Sequence, residues 1–123
     1  METVLWIIQI ALALVFGATG LLKLTRSRQA LASKMTWVEE TTDAKVKAVG
    51  ALEVLAAIGL ILPAALGIVP QLTALAAVGV VLLMAGAMKT HGDMDEWERV
   101  PLTVVLALLA LFVAVQRFGP HAL

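Results

Sequence analysis

Four long apolar runs, separated by polar stretches, set the plan of this chain. From about Thr3 to Leu24 no charge appears until Lys23. At 1.5 Å per residue that run reaches ~30 Å, the thickness of a bilayer's hydrocarbon core. A second run, about Ala44 to Leu62, meets Pro63, which is expected to stop or bend it. The third, Pro70 to about Lys89, follows a short uncharged connection, and its proline suits a first helical position. The fourth, Pro101 to about Val115, is short but sufficient with slight burial of its flanks. The pattern predicts an all-α fold, an integral membrane antiparallel four-helix bundle spanning residues 1–123 as a single domain.

The stretches between the runs carry most of the charge. From Thr25 to Lys45, arginines and lysines alternate with Glu39, Glu40 and Asp43, while Leu31, Met35 and Val38 recur at helical spacing beside Trp37. A short interfacial helix fits that pattern, with a lid over the bundle mouth as the functional alternative. Thr42 followed by Asp43 is suited to the N-cap and first turn of the next helix. Thr90 to Val100 is read as a polar loop holding His91, Asp93, Asp95, Glu96, Glu98 and Arg99, with Trp97 as an interface anchor. Trp6 has the same role at the start of the chain.

Composition sharpens this plan. The chain is 61% hydrophobic and 15% charged, with a mean hydropathy of +0.97, against an apolar share of ~45–50% for soluble domains. It has no cysteine, which removes disulfides, thiolate nucleophiles and thiolate metal ligands. A formal net charge of zero argues against nucleic acid as a partner. Met1 to Leu24 begins with an acidic residue and lacks a convincing cleavage site, so it is read as a retained helix and not a secretory signal. Four crossings put both polar loops on one side. Lys23, Arg26, Arg28, Lys34, Lys45, Lys47, Lys89 and Arg99 lie on that side, against Arg117 alone on the other. The positive-inside rule then places the loops in the cytoplasm and both termini outside, for a bacterial cytoplasmic membrane.

Candidate chemistry centres on one acid. Glu53 stands inside Ala48–Pro63, an otherwise apolar stretch, and a carboxylate in hydrocarbon costs at least ~2.5 kcal/mol unless it faces protein or water. Gly50 and Ala57 flank it at helical spacing, so the acid shares a small-residue face that turns inward. Lys23 and His91 belong to the same half of the bilayer, and a lysine stem can run along apolar surface to reach a carboxylate. Lys23, Glu53 and His91 are therefore the candidate lining of a polar cavity for a small molecule, a quinone head group or a proton. The bland alternative is a structural pair that fixes helix register, with His91 an ordinary interfacial residue. A protonated Glu53 bonded to Thr19, Thr90 or a backbone carbonyl is a third arrangement. The small residues Ala13, Gly17 and Gly20, and the stripe Ala76, Gly79, Leu83 and Gly86, are read as helix-packing faces. The run from His91 to Glu96 does not complete a calcium loop and is read as solvated. His121 falls in a tail expected to be disordered. No catalytic triad, phosphate loop, metal-binding helix or cofactor motif is present, so neither catalytic nor metal-binding residues are assigned.

Four motifs in order give the chain a family likeness: Gly17-x-x-Gly20-Leu-Leu-Lys23-Leu; Gly50-Ala-Leu-Glu53 with Gly59-Leu-Ile-Leu-Pro63; Pro70-x-Leu-Thr-x-Leu-Ala-Ala; and Met84-Ala-Gly-Ala-Met-Lys-Thr-His91. In these the sequence resembles the DoxX-like family of small four-helix membrane proteins, over essentially its whole length. The resemblance implies a lysine, a glutamate and a histidine at Lys23, Glu53 and His91. The acidic run Asp93–Glu98 departs from the family pattern. Relatives are linked to a thiosulfate:quinone oxidoreductase, to a bacterial membrane oxidoreductase complex and, in animals, to chaperoning of receptor assembly. The expected role is therefore a small-molecule-binding, quinone-binding or accessory subunit of a membrane redox or assembly complex, without catalytic activity on its own. A small proton-coupled transporter using Glu53 and a purely structural membrane chaperone are the alternatives. Expected partners are the lipid bilayer, a quinone or other small apolar ligand, and a membrane protein or a second copy in a homodimer.

Overall fold

The computed structural model describes residues 1–26, 43–93 and 97–122. Four helices account for most of them: α1 (Glu2–Thr25), α2 (Asp43–Leu66), α3 (Gln71–Asp93) and α4 (Val100–Phe118), the last preceded by a 3-10 turn over Trp97–Arg99. All four are long and apolar enough to cross a membrane. The interfacial helix expected around Leu31, Met35 and Val38, and the cap expected at Thr42, lie outside the described residues.

Inward positions recur mostly at intervals of three and four, as one face of a helix requires. In α1 these are Leu5, Gln9, Leu12, Phe16, Gly20 and Lys23. In α4 they are Thr103, Ala107, Ala110, Val113, Ala114 and Arg117. The core is built from small side chains such as Ala77, Ala110 and Ala114, filled in by Leu12, Phe16, Leu60 and Met84. Large apolar residues on the opposite faces are left bare, among them Leu14 at 70% and Leu82 at 67% exposure. Such a belt is unsuited to water and suited to lipid.

Neighbouring helices run antiparallel. Gly17 and Gly20 of α1 meet Ala57 and Gly50 of α2 in reversed order, and Gly59 of α2 meets Ala76 of α3. The first crossing is tight. A Cβ placed on Gly20 would stand 2.8 Å from the Gly50 carbonyl, and one on Gly50 would stand 2.7 Å from Lys23 Cβ. Both positions therefore need glycine for the backbones to approach.

Three helix ends differ from the expected ones. Pro63 does not stop α2, which continues to Leu66. Proline removes its own N–H, and with it the donor for the Gly59 carbonyl, but leaves the next turn able to form. The actual stop is Gly67, whose φ of +66° is open to glycine at little cost. Val69, in the same turn, holds φ at +41°, a strained value for a β-branched residue. At the other end, α3 runs past Lys89 to Asp93, so Thr90 and His91 belong to a helix and not to a loop. Lys89 pairs with Asp93 at 2.8 Å and the Thr90 hydroxyl bonds the Gly86 carbonyl at 3.0 Å, so polar i,i+4 contacts carry the helix beyond its apolar run. Trp97 then folds its ring back over Gly92. Helix α4 likewise continues to Phe118, which brings Arg117 onto its inward face.

Candidate functional site

Glu53 sits on the inward stripe of α2 and is 3% exposed. Two donors from α1 reach it across the glycine crossing: Lys23 Nζ bonds Oε1 and the Thr19 hydroxyl bonds Oε2. Lys23 and Thr19 are one helical turn apart, so both face α2 together. Each carboxylate oxygen thus has a donor, and the charge is matched within the protein as burial in hydrocarbon demands.

A second lysine fixes the position of the first. Lys47 Nζ donates to the backbone carbonyls of Lys23 and Arg26, each at 2.7 Å, and of Leu24 at 3.2 Å. These are carbonyls at the C-terminal end of α1, where intrahelical donors run out. The ammonium of α2 therefore caps α1 and favours the negative end of its dipole.

The ion pair forms part of the wall of a groove of about 1690 Å³ between α2 and α3, with Phe16 and Thr19 of α1 and Thr103 and Leu106 of α4 behind it. Most of the lining is apolar. Leu55 and Leu82 line it while remaining 63% and 67% exposed, so the groove opens sideways toward lipid. Gly79 and Gly86 also line it, with open space where a Cβ would stand. These two glycines of the α3 stripe widen the groove, whereas Ala76 of the same stripe packs against Gly59. His91 and Lys45 line the end near the polar loops. Lys23, Glu53 and His91 thus border one groove, and Lys23 contacts Glu53 directly.

The sequence profile of the DoxX-like family matches residues 7–113, most of the chain and all the groove residues named above. The chain belongs to the DoxX-like family. No curated protein and no solved structure gave a match.

This DoxX-like chain holds a second buried polar cluster, at the end where both termini lie. Arg117 is 3% exposed. Its Nε donates to Gln9 Oε1 at 2.9 Å, and its Nη1 to both Glu2 oxygens at 2.9 Å and to the His121 carbonyl at 3.1 Å. The guanidinium carbon stands 5.9 Å from the centre of the Trp6 ring, within range of a cation–π contact. Gln9 in turn donates to the Leu60 carbonyl at 2.7 Å, tying α1, α2 and α4 together. His121, expected in a disordered tail, is held here: its N–H bonds the Gln116 carbonyl at 2.8 Å and its Nδ1 is 3.6 Å from Glu2. Sequence reasoning missed this cluster, although Gln9 and Arg117 both fall in register with their helices' buried stripes.

Proposed function

We propose that this DoxX-like membrane protein binds a lipid-soluble small molecule with a polar head, of the quinone type, in the α2–α3 groove, and serves as an accessory or ligand-delivering subunit of a membrane complex. The observation that carries this reading is the placement of the Lys23–Glu53 pair and Thr19 on an apolar groove that opens toward lipid. A ligand entering from the bilayer would lay its tail against Leu55, Leu75 and Leu82 and bring its head to the ammonium, the hydroxyl and His91. The groove's 1690 Å³ exceeds the ~300–1,000 Å³ of drug-sized sites, which leaves room for a head and part of a chain. In this reading the polar loops face the cytoplasm, following the lysine and arginine bias.

The apolar layer between the two polar clusters weighs against a proton path along the bundle axis. Leu12, Phe16 and Val80 fill the core between Gln9 and Thr19, each at most 2% exposed. The deciding experiment is mass spectrometry of small molecules retained by the purified protein, comparing the native chain with Glu53→Gln and Gly79→Leu. A retained amphiphile that both substitutions reduce supports the reading. No retained amphiphile, together with failure of added ubiquinone analogues to bind, would overturn it. Proton release on binding that vanishes in Glu53→Gln would favour the proton-coupled carrier instead.

A further inference from the structure

One level of the bundle holds two buried polar atoms without a partner among the described residues. Gln9, Leu60, Thr73 and Arg117 point inward, one from each helix, and each is at most 3% exposed. Gln9 joins Arg117 to the Leu60 carbonyl. One residue before Leu60, Gly59 lies against Ala76 with the Leu72 carbonyl beside it, which sets Thr73 at the same level. There the Thr73 hydroxyl and Arg117 Nη2 have no hydrogen-bond partner among the described residues. An unpaired guanidinium nitrogen in an apolar core is costly, and native proteins meet such groups with protein or water.

We propose that a buried water molecule occupies this level, accepting a hydrogen bond from Arg117 Nη2 and donating one to Thr73 Oγ1. Its second hydrogen has a candidate acceptor at the same level, the Gly59 carbonyl, which Pro63 deprives of its helical donor. Two to four polar partners are what a buried water requires. The charge balance selects water over an anion. Arg117 is already paired with Glu2 through Nη1, so a buried anion would bring uncompensated charge into the core. Arg117 and Thr73 do not line the groove, although Gly59 does, so the site borders the groove's end nearest the termini.

The test is water-edited solid-state NMR of the arginine-labelled protein in bilayers, with the Arg117 signal identified by its loss in Arg117→Lys. Magnetisation should pass from water to the Arg117 Nη2 protons, and that transfer should be lost in Thr73→Val, which keeps the shape and removes the hydroxyl. The same substitution should lower the Tm of the native chain more than it lowers that of Arg117→Lys, because the two residues share one ligand. Transfer that is absent, or unchanged by Thr73→Val, would overturn the proposal. So would a Tm that rises with chloride and loses that dependence in Arg117→Lys, which would assign the site to an anion. Should an Arg117 variant fail to fold, the Arg117 signal is assigned instead by sequential correlation with Phe118 in the native chain, and the Thr73→Val comparison proceeds on it.

Discussion

Lys23 and Arg117 are both buried cations met by a glutamate from another part of the chain, yet their surroundings are opposite. Lys23 faces Glu53, whose side chain is 5% exposed, and both line a groove that opens toward lipid. Arg117 faces Glu2, whose side chain is 55% exposed, while its own side chain is enclosed at 1%. At the first site both charges depend on each other for compensation. At the second, the arginine depends on Gln9 and a backbone carbonyl as much as on its acid, and the acid can turn to water. A buried ion pair is held together by the more deeply buried partner's lack of alternatives. The groove-side pair stands in a wall that opens sideways, which makes it the more chemically available of the two.

The largest effect expected from this contrast belongs to Lys23→Met. It leaves buried Glu53 with the Thr19 hydroxyl but without the Lys23 ammonium and should cost about 3 kcal/mol, read as a lowered unfolding midpoint in detergent. An unchanged midpoint would show that Glu53 does not depend on the ammonium. Next comes Gly50→Ala. Its new methyl would press on Lys23 Cβ and the Gly20 carbonyl, forcing α1 and α2 apart at a cost of about 1–3 kcal/mol. Gly86→Ala is the control: it faces open space and should leave stability equal or slightly higher, since alanine is the better helix former. Lys47→Met removes the donor from three carbonyls at the end of α1 and should cost about 1 kcal/mol. Among the destabilising changes the smallest effect is expected of Glu2→Gln, below about 1 kcal/mol, because its carboxylate is half in solvent. If Glu2→Gln proved as damaging as Lys23→Met, the contrast between the two ends would fail.

The four-helix plan was legible because apolar runs of the right length leave a bilayer few alternatives. Glu53 stood out for the same reason, as a carboxylate where hydrocarbon was expected, and placing Lys23 in the same half of the membrane made their pairing one of the arrangements open to it. The helix ends were less legible. Hydropathy falls at Lys89, but the backbone continues as long as Lys89–Asp93 and Thr90–Gly86 contacts support it. Arg117 was hidden by its position: a cation near the end of an apolar run is ordinarily read as reaching for the interface. Gln9 is neutral and gives no charge signal at all. What could have revealed them is register, since Gln9 falls between Leu5 and Leu12, and Arg117 follows Ala110 and Ala114, on the buried stripes of their helices. The groove itself was beyond reach, because the sequence alone cannot tell which glycines of a stripe touch a neighbour, as Gly59 does, and which stand open, as Gly79 does.

Photo-crosslinking with a lipid-soluble azidoquinone in bilayers, followed by peptide mapping, addresses the groove directly. Label confined to the α2 and α3 segments around Glu53 and Gly79, and competed away by unlabelled quinone, is the predicted result. Label spread without competition over the bare outer faces, at Leu14 of α1 or Leu108 of α4, would mean that the groove holds ordinary lipid and that the Lys23–Glu53 pair serves the fold alone.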